Sequence, residues 1–146
     1  MGLIGDYMTS HHRRCDDAFA RARNLAAASD WVGLSRDGEA FLREIERHIE
    51  VEEEILFPAF EERTGMSSGP TEVMRTEHEQ MRVLFARMRA ATEAKDGIEY
   101  ASAAEAFLSL MQQHNAKEED MMYPMLDQAL GEDAREFVGT LDAATA

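Results

Sequence analysis

The chain has 146 residues, 45% of them hydrophobic, which suits one domain over 1–146 with one sizeable core. Its 29 Asp and Glu against 15 Lys and Arg leave a net charge of −14, which repels phosphate, so neither nucleic acid nor an anionic membrane is expected as a partner. No apolar run reaches the ~18–20 residues of a membrane span, the opening MGLIGDYMTS lacks a signal peptide's basic and apolar regions, and a lone Cys fits a reducing cytoplasm.

Apolar residues recur at steps of three and four almost throughout, which predicts helices. The first helix, near 3–28, carries a stripe of Met8, His12, Cys15, Phe19, Ala22 and Ala26. The pattern stops from Ser29 to Gly33. A second helix, near 35–62, offers Phe41, Ile45, His48, Glu52 and either Ile55 or Leu56. Thr64 to Pro70 reads as a loop, with Pro70 near a helix start. The third helix, near 71–94, offers Met74, His78, Met81, Phe85 and Met88. After a break at Lys95-Asp96-Gly97, the fourth, near 98–130, offers Phe107, Met111, His114, Glu118 and either Met121 or Met122. Gly131 interrupts it, and Phe137 and Leu141 suggest a short fifth helix around 132–142. Pro58 and Pro124 fall within helical patterns and are expected to kink them. Long helices with short loops imply an all-α, up-down antiparallel four-helix bundle.

The sequence repeats itself at an offset of 66 residues. His12 answers to His78, His48 to His114, and Glu52 to Glu118. Phe19, Phe41, Met8, Asp30 and Phe57-Pro58 answer to Phe85, Phe107, Met74, Asp96 and Tyr123-Pro124. Two related helix pairs therefore face each other. The repeat selects His12 over its neighbour His11, and Glu52 and Glu118 over Glu53 and Glu119, which lie about 100° round the helix.

A lone His on an apolar stripe is ordinarily a neutral core residue, and a run of Glu is ordinarily a solvated face. Two Glu on core stripes, each one turn past a His, fit neither description. Burying a carboxylate costs several kcal/mol unless something compensates. A metal-free His–Glu network would need charged imidazoles, which carry their own desolvation cost. Two cations remove the difficulty, with His12 and His48 on one, His78 and His114 on the other, and Glu52 and Glu118 bridging. Six donors exceed one tetrahedral zinc, and the absence of thiolates argues against copper(I) and iron–sulfur chemistry. Nitrogen and oxygen donors favour iron, with manganese or zinc also accommodated.

These segments, HHRRCDDAF, HIEVEEEILFP, TEHEQMR and HNAKEEDMMYP, resemble the hemerythrin-like (HHE cation-binding) family across roughly 3–130. The resemblance implies a non-haem di-iron centre with carboxylate and oxo bridges, open to O2, NO or peroxide. Oxygen-carrying members place a further His where Met74 stands, so the chain looks closer to the bacterial type with four His and two Glu. The family implies three kinds of role: binding or sensing a small ligand, turning over peroxide or NO with an electron partner, and storing or donating iron. Beside the six donors, His11 reads as an ordinary neighbour of the stripe and Cys15 as a core filler. Met8, Met74, Met81, Met88 and Met111, with Phe41, Phe107 and Ile45, suggest a dry pocket over the metals. Tyr7 and Tyr123 are candidate hydrogen-bond donors near it.

Overall fold

The computed structural model describes residues 2–145, and no strand occurs among them. Helices α1 (Leu3–Ala27) and α2 (Trp31–Val51) form the first pair. A π-helical turn, Glu52–Leu56, leads from α2 into α3 (Phe57–Thr64). Helices α4 (Pro70–Ala94) and α5 (Gly97–Lys117) form the second pair. A matching π-helical turn, Glu118–Met122, leads from α5 into α6 (Tyr123–Leu130). A 3-10 turn, Gly131–Asp133, precedes α7 (Ala134–Thr145). The chain is an all-α bundle, and no described helix is long and apolar enough to cross a membrane.

The turns within the two pairs are built alike. Asp30 caps α2 by accepting the Gly33 N–H at 2.9 Å, and Asp96 caps α5 by accepting the Glu99 N–H at 3.0 Å. The residue before each cap, Ser29 or Lys95, is left-handed, at φ 55° and 54°. The Asp30 and Asp96 amides then reach back to the carbonyls of Leu25 and Ala91. These equivalences all follow the 66-residue offset. The cap moves the start of α2 to Trp31, ahead of the expected position near 35: Asp30 closes the first turn before the apolar stripe begins. Gly65, at φ 72°, ends α3 in the left-handed conformation that glycine adopts without strain.

Cross-helix contacts set the directions. Phe19 stacks on Phe41 and His12 lies beside His48, so α1 and α2 are antiparallel. His78 meets His114 and Phe85 meets Phe107, so α4 and α5 are too. Arg89 bonds Glu39 and Glu46 while Arg75 bonds Glu61, which sets α4 against α2 and α3. At the far end of α1, the Ile4 and Gly5 amides donate to the Asp127 carboxylate at 2.8 and 3.1 Å. Helix α7 closes this end against α1 and α2.

Two apolar layers fill the bundle. One holds Phe19, Phe41, Phe85 and Phe107 with Leu34, Tyr100 and Met88. The other holds Ile4, Met8, Phe57, Phe60, Met74 and Leu126, among others. Where the sequence offered alternatives, Leu56 and Met122 face inward, while Ile55 is partly covered and Met121 is exposed. Phe107 touches the rings of Phe19, Phe41 and Phe85 and is fully buried. Phe107→Ala should therefore cost about 3–5 kcal/mol in urea denaturation of the metal-free chain.

Candidate metal centre

Between the two apolar layers lies a polar waist. His12, His48, Glu52 and Glu118 form one group of converging donor atoms, and Glu52, His78, His114 and Glu118 form the other. Within each group the donors lie within 4.8 Å of one another, and all six residues are buried. Both glutamates belong to both groups, and both are 0% exposed. The helix pairs thus deliver one imidazole each from α1, α2, α4 and α5. His11 belongs to neither group; its ring packs on Tyr7 at 4.5 Å and lies 6.0 Å from His48.

The glutamates sit where each helix widens. The Phe57 amide bonds back five residues to Glu52, and the Tyr123 amide does the same to Glu118. Pro58 and Pro124 follow at once. Each proline removes an N–H and crowds the carbonyl four residues back, and the wider turn accommodates both defects. The expected proline kinks are thus expressed as π-helical turns.

Outer carboxylates fix three of the imidazoles. Glu119 accepts from His12 Nδ1 at 2.8 Å, Glu53 from His78 Nδ1 at 2.9 Å, and Glu77 from His114 Nδ1 at 2.8 Å. Arg82 bonds Glu53, and Lys117 bonds Glu77 at 2.5 Å. His48 Nδ1 has no partner. The sequence reading left out all three outer glutamates, because they stand one position round the helix from an inner ligand or beside a histidine. The 66-residue offset relates Glu53 to Glu119 and holds a signal for them.

One further oxygen enters the waist. The Tyr123 hydroxyl lies 2.7 Å from Glu52 Oε2, 3.0 Å from Glu118 Oε1 and 3.0 Å from His12 Nε2. Its counterpart, Phe57, stacks on His78 instead, with rings 13° from parallel. Tyr7 is placed differently: its hydroxyl reaches Asp142 at 3.4 Å.

The donor set fits cations. A carboxylate on Nδ1 means that nitrogen carries the hydrogen, so Nε2 presents its lone pair inward. There it meets carboxylate oxygens: His12 Nε2 is 3.1 Å from Glu118, and His78 Nε2 is 3.1 Å from Glu52 Oε1. His78 Nε2 also faces His114 Nε2 at 3.2 Å. Glu52 Oε1 and Glu118 Oε2 make no aligned hydrogen bond at all. Lone pairs facing lone pairs need a positive charge between them. Without metal, protons supply it. Burial opposes charge on His12 and His78, but Glu118 and Glu119, and Glu52 and Glu53, outweigh it and lift each to about 9. His114 is raised against its burial by Glu118 and Glu52. Burial likewise disfavours ionised Glu52, yet the surrounding histidines hold its carboxyl well below the usual range.

Cys15, Ile45, Ile49, Met81 and Met111 wall the waist on one side. The free space there is about 10 Å³, room for roughly one water. The pocket is narrower than the sequence suggested: Met8 and Met74 lie in the opposite layer, and Met88, Phe41 and Phe107 line the core beyond it. Burial and Glu44 push the Cys15 thiol up to about 12, consistent with a core filler rather than a thiolate.

Curated relatives match over part of the chain. Proteins named only as uncharacterized, one from Mycobacterium bovis and two from strains of Mycobacterium tuberculosis, are 32% identical over 85 residues. The match takes in 54% of this chain and 33% of theirs, so it spans about a third of those relatives' length. No solved structure matches the chain. The family model described as hemerythrin HHE cation binding domain matches residues 3–126, from the start of α1 to within α6, and the chain belongs to that family.

Proposed function

We propose that the chain, as one domain over 1–146, is a non-haem di-iron protein that binds O2, NO or peroxide in oxygen or redox sensing or the response to stress. His12 and His48 would hold one iron, His78 and His114 the other, and Glu52 and Glu118, which belong to both groups, would serve both. The observation that supports this most is the meeting of four imidazoles with two fully buried carboxylates that lack any cationic Lys or Arg in the waist. Carboxylate and imidazole donors suit iron, and the iron pair supplies redox change and open coordination positions for a small ligand.

The chain's own residues set the conditions. The outer glutamates orient three of the rings, with Nε2 turned inward, before any metal arrives. The Tyr123 hydroxyl donates to Glu52, holding the two carboxylates beside each other. Ile45, Ile49, Met81 and Met111 keep bulk water away and leave about 10 Å³, a space that excludes a metabolite. That last point favours ligand binding over chemistry on a larger substrate. We place the protein in the cytoplasm, where the lone Cys15 stays reduced.

Metal analysis after expression in iron-rich medium should give two irons per chain. His48→Ala combined with Glu118→Ala should abolish loading, and full loading of that double variant would overturn the ligand assignment. Spectra should change reversibly when O2 or NO is added and removed. Sustained turnover of peroxide or NO would move the protein among the enzymes, and iron passing to an apo acceptor protein would mark a donor.

The raised histidines set a pH dependence. At pH 7 the metal-free waist holds protons on His12 and His78, both near 9, and metal must displace them. Affinity should therefore rise with pH and level off above about 9, read by metal titration with proton release followed in weak buffer. The metal-free fold should behave oppositely. Its charged His–Glu pairs contribute fully below the unfolded value of 6.5 and are lost as pH rises through about 9. Its urea midpoint should fall across that window, while the loaded protein's should not.

A further inference from the structure

The 66-residue repeat breaks at one place that bears on metal retention. Glu77 stands next to His78 on α4 and accepts from His114 Nδ1 at 2.8 Å. The equivalent position on α1, next to His12, is His11. The imidazole that a carboxylate there would support is His48, whose Nδ1 is buried and has no partner. His11 instead lies alongside the His48 ring, 6.0 Å between centroids, and its Nε2 accepts from Arg14 at 3.1 Å.

The surroundings differ too. His11 and His48 line an open cleft of about 510 Å³, with Arg14, Arg43, Arg47 and Glu50 around it. His48 also lines the small cavity of the waist. This one imidazole therefore stands between solvent and the inner donors. On the opposite side Glu77, tied to Lys117, covers His114.

We infer that the two metal positions are unequal: the His78/His114 position is tight, and the His12/His48 position is the exchangeable one, filled and emptied past His11 and His48. The inference rests on the two-metal reading above. Its physical basis is orientation. With a carboxylate on Nδ1, the rings of His12, His78 and His114 are each held with Nε2 turned inward. His48 Nδ1 has no such partner, so nothing fixes that ring or its orientation. Second partners of this kind are typically worth 10–100-fold in metal affinity. His11 thus occupies the place of a support and does not provide one.

The test loads the full chain with ferrous iron under argon, then challenges it with excess chromophoric chelator. The wild type should hold two irons and release them in two phases of equal amplitude, with rates about 10–100-fold apart. His11→Glu should slow the fast phase towards the slow one, and His11→Gln, which still offers an acceptor oxygen, should slow it partly. Glu77→His should instead speed the slow phase, which keeps the test open should the residue 11 variants fail to fold. All three leave Tyr123 and the six inner donors in place. Fewer than two irons at saturation overturns the two-metal reading itself. Two irons leaving at a single rate, or a fast phase indifferent to His11→Glu, overturns the inequality while leaving that reading standing.

Discussion

Two carboxylates buried at the waist of the bundle are the constraint on which the rest of this structure depends. Glu52 and Glu118 are fully buried, and each keeps an oxygen without an aligned partner. Such groups cost several kcal/mol apiece unless positive charge is provided. Among the described residues no Arg or Lys enters the waist. Four imidazoles do, one from each long helix, and three of them point their lone pairs at the same oxygens because outer carboxylates hold their other nitrogen. Positive charge, from protons or from cations, must therefore lie between those lone pairs and the oxygens. Apolar layers on both sides follow from the same need, since they exclude water and carry the folding free energy that the waist does not supply.

Repetition builds the cluster and its exceptions differentiate it. The turns at Ser29-Asp30 and Lys95-Asp96 agree in dihedral and hydrogen bond, and so do the two π-helical turns. A duplicated hairpin folded this way gives two equal half-sites that share their glutamates. The equality fails at Phe57 against Tyr123, and at Glu77 against His11. Tyr123 brings a hydroxyl towards His12, where Phe57 presents only a ring face to His78. Both exceptions distinguish the His12/His48 half from the other.

The convergence of the six inner side chains was legible because repeat and periodicity agreed on them: each stands on an apolar stripe and recurs at the same offset. The all-α bundle was legible for the same reason, though the expected helices near 35–62 and 98–130 are each divided by a π-helical turn. The π-helical turns were not. An added residue in a turn shifts every later position by about 100° without changing the composition of the stripe. That shift is why Leu56 and Met122, not their neighbours, face inward, and why the Tyr123 hydroxyl arrives among the ligands. The outer glutamates were hidden differently. Glu53, Glu77 and Glu119 are partly exposed on the side away from the core, so periodicity assigns them to the solvated face. Their role appears only when the facing helix brings a histidine nitrogen to them. Met8 and Met74 share a stripe with the donors yet lie in the other layer, because a helix stripe says which face is buried and not how far along the axis a site extends.

Separating the apolar layers from the polar waist also bears on how metal and fold are coupled. In small metal-dependent domains the ligands come together only when metal binds, so metal loss is unfolding. Here the aromatic layer around Phe107 and the layer around Phe57 and Leu126 close the bundle from both sides. Protons on His12 and His78, and the Tyr123 hydroxyl on Glu52, hold the waist together meanwhile. The six side chains are then preorganised, and on the proposed function metal would exchange against protons rather than against the fold. On the two-metal reading proposed above, a cleft that reaches one imidazole and leaves the other three behind carboxylates would let one metal position open while the bundle stays closed.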